Sequence, residues 1–94
     1  MEFEWDERKA ARNLAKHGVP FEYAAGVFLD LRRLDGDDLR PEYSEEQRLT
    51  FGTIEGRVFA VAYAPHGGVL RLISARKANE REQRKSHEAL PTCP

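Results

Sequence analysis

Residues 48–75 read RLTFGTIEGRVFAVAYAPHGGVLRLISA, and this stretch decides the fold. Arg48 to Ile54 alternates, with Leu49 and Phe51 on one side and Thr50 and Gly52 on the other, the period of a strand. Glu55-Gly56 predicts a tight hairpin turn. Arg57 to Ala64 is apolar at nearly every position from Val58 onward, as expected of a strand in mid-sheet, covered on both sides. Pro65-His66-Gly67-Gly68 reads as a second hairpin loop and Val69 to Ala75 as the next strand. A meander sheet is therefore the centre of the domain.

Working outward, Leu31 to Leu34 reads as a further short strand. The turn-rich Asp35-Gly36-Asp37-Asp38 follows, then a polar connection from Arg40 to Glu46 broken by Pro41. Upstream lie two helices. The first should run from about Asp6 to His17, with Asp6 as N-cap and Gly18 as stop, and with Ala10, Leu14 and His17 facing inward. Arg8, Lys9 and Arg12 face outward. The second starts after Pro20, with Phe21, Ala24, Ala25 and Phe28 on one stripe through about Leu29. Downstream, Asn79 with Glu82 three residues later predicts a capping box opening a C-terminal helix. The expected fold class is α+β: two N-terminal helices, an antiparallel meander of three to four strands and a C-terminal helix, with the helices on one face. Residues 1–88 form one domain in this reading, and 89–94 a disordered tail.

Ninety-four residues leave room for one core. No run of about 18 apolar residues is present, and the acidic start Glu2-Phe3-Glu4-Trp5-Asp6 is unlike a secretory signal, so a cytoplasmic location is expected. The single cysteine, Cys93, has no internal partner, and the three histidines lack ligand spacing, so neither a metal nor another cofactor is expected. The net charge of −1 argues against a chain that binds nucleic acid over its whole surface. From Arg71 to Lys85, however, six basic residues face only Glu80 and Glu82, and a local basic stripe can meet phosphates.

Four ordered blocks carry a family resemblance. Trp5-Asp6-Glu7-Arg8-Lys9, Asn13 and Lys16-His17-Gly18-Val19-Pro20-Phe21 form the first, continued by Ala24 and Phe28. Tyr43, Glu46, Arg48 and Gly52 form the second, Gly56-Arg57 the third, and Arg71-Leu72-Ile73-Ser74-Ala75-Arg76-Lys77-Ala78-Asn79-Glu80-Arg81-Glu82 the fourth. Together they resemble the BrnT toxins over about residues 2–85. The sequence departs from that pattern at Ser86, where a tyrosine is common, and in the polar connection, which lacks the histidine some members carry. The resemblance implies a RelE-like fold and a ribonuclease that stops translation. It also implies a BrnA-like antitoxin of the ribbon-helix-helix type, DNA contacted only through that antitoxin, and room for a dimer within the complex. No membrane contact is expected.

Metal-free RNA cleavage requires activation of a ribose 2′-OH, cations on the pentacoordinate phosphate and a proton for the leaving oxygen. Arginine suits the second task through its planar fork of donors. Arg71 and Arg76 either hold that phosphate or pair with carboxylates. Alternation places Arg71 on the side of Ile73 and Ala75. Arg48 and Glu46 either converge with Arg71, Glu46 serving as base, or form a surface ion pair. His17 suits proton transfer, although its place at a helix end also suits capping of carbonyls, and Asn13 stands within helical reach of it. Lys77, Arg81, Arg84 and Lys85 are candidate contacts to an RNA backbone, with Tyr43 as a stacking platform; a solvated helix face is the competing reading. Phe51, like the other large aromatics, reads as core, and Glu82 as a cap before a catalyst. The alternative function is a catalytically weak module that holds a ribbon-helix-helix antitoxin and tunes promoter repression.

Overall fold

The computed structural model describes residues 1–37 and 47–89, with side chains to residue 85. Asp38, the polar connection from Arg40 to Glu46, with Tyr43, and residues 90–94 of the expected tail lie outside the described residues, as does the side chain of Ser86.

The elements run β1 (Glu2–Glu4), α1 (Glu7–His17), α2 (Phe21–Ala24), a 3-10 turn (Ala25–Leu29), β2 (Leu34–Asp37), β3 (Arg48–Ile54), β4 (Arg57–His66), β5 (Val69–Lys77) and α3 (Glu80–Ala89). The five strands form one sheet in the order β1-β5-β4-β3-β2. The meander β2 to β5 is antiparallel, whereas β1 runs parallel to β5, pairing Phe3 with Leu70. Both long hairpins turn where two successive residues have positive φ, Glu55-Gly56 and Gly67-Gly68, the geometry that follows the twist of the flanking strands.

Several expectations change. The N-terminal strand β1 was not anticipated; its single apolar residue, Phe3, stacks against Phe28 at 5.4 Å between ring centroids. The strand expected at Leu31–Leu34 lies later, so that Asp35-Gly36-Asp37 belongs to β2 and not to a turn. The second helix tightens into 3-10 geometry from Ala25. The helices also occupy both faces of the sheet. The face carrying Phe59, Val61, Tyr63, Leu72 and Ala75 packs with Phe21, Ala24, Val27 and Phe28 as the core, while α3 borders Leu49 and Phe51 on the opposite face.

The faces of β3 are reversed from what hydrophobicity suggests. Thr50 and Gly52 face the core, and the bulkier Leu49 and Phe51 point away from it, half-buried. Gly52 accounts for this. A Cβ there would lie 2.6 Å from Val27 Cγ1 and 3.0 Å from the Val27 carbonyl, so the 3-10 turn can approach β3 only over a glycine. Thr50, at 0% exposure, satisfies its hydroxyl by donating to the Leu34 carbonyl at 3.1 Å.

The most buried polar side chain of α1 is Asn13, and the inward face of the helix is centred on it, leaving Leu14 49% exposed. Its Oδ1 accepts from the Ala75 N–H at 3.0 Å, and its Nδ2 donates to the Ala75 carbonyl at 2.8 Å and to the Val19 carbonyl at 3.0 Å. The expected pairing of Asn13 with His17 is therefore not formed. Since β1 pairs only with Val69 to Arg71, β5 has an uncovered edge beyond it, and the Asn13 amide takes the place of a neighbouring strand's peptide group. Asn13→Ala should leave buried backbone groups unpaired and destabilise the fold by about 3 kcal/mol. For a domain of this length that lowers the melting temperature by roughly 12–24 °C. A scan of the purified variant showing less than a few degrees of change would remove Asn13 from this role.

Candidate functional site

The register of β5 shifts opposite Ala62 and Tyr63: Leu72 pairs with Tyr63 and Ser74 with Ala62, leaving Ile73 as the extra residue of a β-bulge. The bulge reverses the alternation beyond it. Leu72 and Ala75 share the core face, and Arg71, Ser74 and Arg76 share the α3 face with their partners Ala64, Ala62 and Ala60. The expectation that Arg71 lies on the side of Ala75 is thus corrected.

On the α3 face Arg76 is the best-defined cation. Its two terminal nitrogens donate to the two Glu82 oxygens at 2.7 and 2.8 Å, a bidentate pair. Glu82 Oε1 also accepts from the Asn79 N–H at 2.9 Å, while the Glu82 N–H donates to Asn79 Oδ1 at 2.9 Å. The capping box therefore forms as expected, and the same carboxylate that starts α3 fixes the guanidinium at the end of β5. Arg76 remains 37% exposed at its side chain, so a ligand can reach it. Beside this pair lies a concavity of about 350 Å³, with Leu34, Leu49 and Phe51 as its apolar lining, Asp35, Gly36 and Asp37 along its β2 side, and Glu82 and Lys85 on its α3 side. Phe51 belongs to this groove and not to the core cluster, which sequence reading missed. The usable signal was Gly52, which forces its neighbour onto the other face.

The other candidates are dispersed. Arg71 shares the face of Arg76 but stands five residues along β5, on the order of 16 Å of extended chain away. Its Nε lies 3.7 Å from Glu4, which also holds His66 at 3.2 Å. Arg48 does not converge with Arg71. It pairs with Tyr63 in register, on the core face, where its guanidinium binds Asp35 at 2.8 Å and Asp37 at 3.1 Å. Tyr63 donates its hydroxyl hydrogen to Asp35 as well. Burial first, then that bond to Asp35, pushes the Tyr63 phenol above its usual range, so it stays neutral as a donor. Glu46 and Tyr43 lie outside the described residues. Lys77 lines a separate concavity with Tyr23 and Arg57, on the other side of the sheet from Lys85. Arg81 and Arg84 are exposed on α3. His17 ends α1 and lines a third concavity with Lys9, Arg12 and Lys16. Among the described residues no group of three or more His, Cys, Asp or Glu side chains could hold a metal ion.

The groove has an apolar floor and carries Asp35 and Asp37 on its β2 side and Glu82 and Lys85 on its α3 side. It lies beside the half-exposed Arg76 guanidinium, so a flat apolar group on the floor and an anionic group at Arg76 or Lys85 can be held together. Residues 5–82, from just before the N-cap of α1 to the carboxylate that holds Arg76, match a family model for ribonuclease toxins of type II toxin–antitoxin systems. The family is BrnT, described as the ribonuclease toxin BrnT of a type II toxin–antitoxin system, and this chain belongs to it. Membership implies an RNA target and an antitoxin partner. No curated protein matches the chain. No helix among the described residues is long and apolar enough to cross a membrane.

The Arg76 bond, ahead of the opposing effect of burial, lowers the Glu82 pKa below its usual 4.5, and the Asn79 N–H lowers it further. A carboxylate depressed in the folded state contributes stability that is fully present above its unfolded pKa and is lost as pH falls through the folded value. The stability difference between the wild type and Glu82→Gln should therefore be largest near neutral pH and shrink below about pH 4.5. Thermal melts across that range check it; a difference independent of pH would show that the ionised carboxylate contributes nothing.

Proposed function

We propose that this chain is a metal-independent endoribonuclease that cleaves RNA through attack of a ribose 2′-OH on the adjacent phosphate. In this reading it inhibits translation in the cytoplasm until a BrnA-like ribbon-helix-helix antitoxin neutralises it, within the RelE-like arrangement that the family resemblance implies. The observation that carries the proposal is the Arg76–Glu82 pair at the groove bordered by Phe51 and Lys85.

Each residue has a role in that reading. Arg76 holds the non-bridging oxygens of the scissile phosphate and stabilises the charge that grows on them. Glu82 is a positioning residue. Both its oxygens are engaged by Arg76 and its pKa is lowered, which makes it a weak base and a poor acid. Phe51 supports a nucleobase and Lys85 meets a flanking phosphate, with Arg81 and Arg84 extending the cationic path along α3. Arg71, at the far end of the same face, contacts a phosphate further along the strand, a change from the single shared grip expected from sequence. Glu46, Tyr43 and His17 stay as proposed base, platform and proton carrier. Arg48, tied to two aspartates, supports the sheet.

A specific observation favours the second reading, a weak module that retains antitoxin binding: Arg48, Arg71 and Arg76 each face a carboxylate. Cleavage assays in excess EDTA separate the two. The proposal expects cleavage to persist and to leave 2′,3′-cyclic phosphate ends. Arg76→Ala should fall about a hundred- to thousandfold in rate while remaining folded, as expected when one donor to a transition-state oxyanion is removed. Arg76→Lys should recover only part, because an ammonium lacks the two-pronged grip. Loss of activity on chelation, 3′-hydroxyl ends, or a folded Arg76→Ala variant cleaving at the native rate would overturn the mechanism. A pure, folded wild type that cleaves no RNA yet binds antitoxin would establish the second reading.

A further inference from the structure

Lys9, Arg12 and Lys16 of α1 differ from the three arginines above in facing no carboxylate among the described residues; Arg12 Nε donates only to the Arg8 carbonyl of its own helix, at 3.5 Å. Lys9, Arg12 and Lys16 fall at i, i+3 and i+7, a row rising about 10 Å along one side of the helix. All three are exposed, and none has a carboxylate within ion-pair distance among the described residues. With His17 they line a concavity of about 410 Å³ whose other wall is Ile73 and Ser74, the bulged segment of β5, and no acidic residue lines it. Two features hold this trough in place. Asn13, between Arg12 and Lys16, ties α1 to Ala75, one residue beyond the trough wall. The bulge bends β5 and turns Ser74 toward the face of Arg76, two residues on.

We propose that this trough is a second binding site for the phosphate backbone of single-stranded RNA, continuing over the edge of β5 from the groove at Arg76. The inference rests on the reading of RNA as the target but concerns binding alone. Three cations that face no carboxylate among the described residues, on a pinned helix, form a sequence-independent clamp, since phosphate contacts position a strand without reading its bases. The site also reconciles a net charge of −1 with a polyanionic ligand, because the acidic residues lie elsewhere.

The test uses the full chain and a 2′-O-methyl oligoribonucleotide, which cannot be cut by 2′-OH attack, so binding is read independently of cleavage. Affinity is measured as a function of salt for the wild type and for Lys9→Gln/Arg12→Gln/Lys16→Gln, whose exposed positions leave Asn13 and the core untouched. The slope of log K against log salt should flatten by about 2 in the triple variant, at roughly 0.7 per cation removed from a single strand. Arg32→Gln/Arg57→Gln, which removes two exposed cations elsewhere, should leave the slope near that of the wild type. A flattening of this size supports the site even if the wild type proves unable to cleave RNA, in which case only the catalytic reading fails. A folded triple variant with unchanged slope and affinity overturns the site even if cleavage is confirmed. A triple variant that binds RNA normally but loses the antitoxin would also overturn it, assigning the trough to an acidic protein segment.

Discussion

The amide of Asn13 holds the domain in the arrangement on which everything else depends. A single side chain gives its acceptor and both donor hydrogens to backbone groups, two on Ala75 and one on Val19. It thereby fastens α1 to the strand edge that the short β1 leaves uncovered, and fixes the entry of the chain into α2. Aspartate would keep the bond from Ala75 N–H but lose both donors, and leucine would leave three buried backbone groups unpaired. With α1 pinned to the edge, α2 and the 3-10 turn settle over one face, so the other is left to α3 and the groove.

Within that frame two local irregularities decide where the chemistry sits. Gly52 lets Val27 reach the backbone of β3, which drives Leu49 and Phe51 to the groove side. The bulge at Ile73 brings Arg71 and Arg76 to the same side, where regular alternation would have put them on opposite faces. Glu82 then joins the end of β5 to the start of α3 through one carboxylate, so the orientation of Arg76 is part of the folding of the last helix. A cation fixed in this way loses little freedom when it meets a phosphate, the condition for electrostatic preorganisation.

Much of this was legible in the sequence, because β3, β4, β5, the Asp6 cap and the Asn79–Glu82 box are specified by residues close together in the chain. What escaped is non-local. The strand β1 has one apolar residue and forms only because β5 offers it an edge. The burial of Asn13 cannot be read from helical periodicity, which counts asparagine as outward-facing and placed Leu14 inside. Arg48 was expected near Arg71 on parity alone, and a register shift of one residue separates them onto opposite faces. Family resemblance identified the chain correctly, while the faces of the sheet had to come from the structure.

The central claim, that RNA is held at the groove bounded by Phe51, Glu82 and Lys85 with Arg76 at the phosphate, is most directly tested by NMR titration with uncleavable 2′-O-methyl RNA. The account predicts that the Arg76 Nε–H resonance and the backbone amides of Leu49 and Phe51 shift with a common saturation curve, while the Nε–H of Arg48, held by Asp35, stays in place. Shifts centred on Arg48 and Tyr63 with Arg76 unmoved would contradict it.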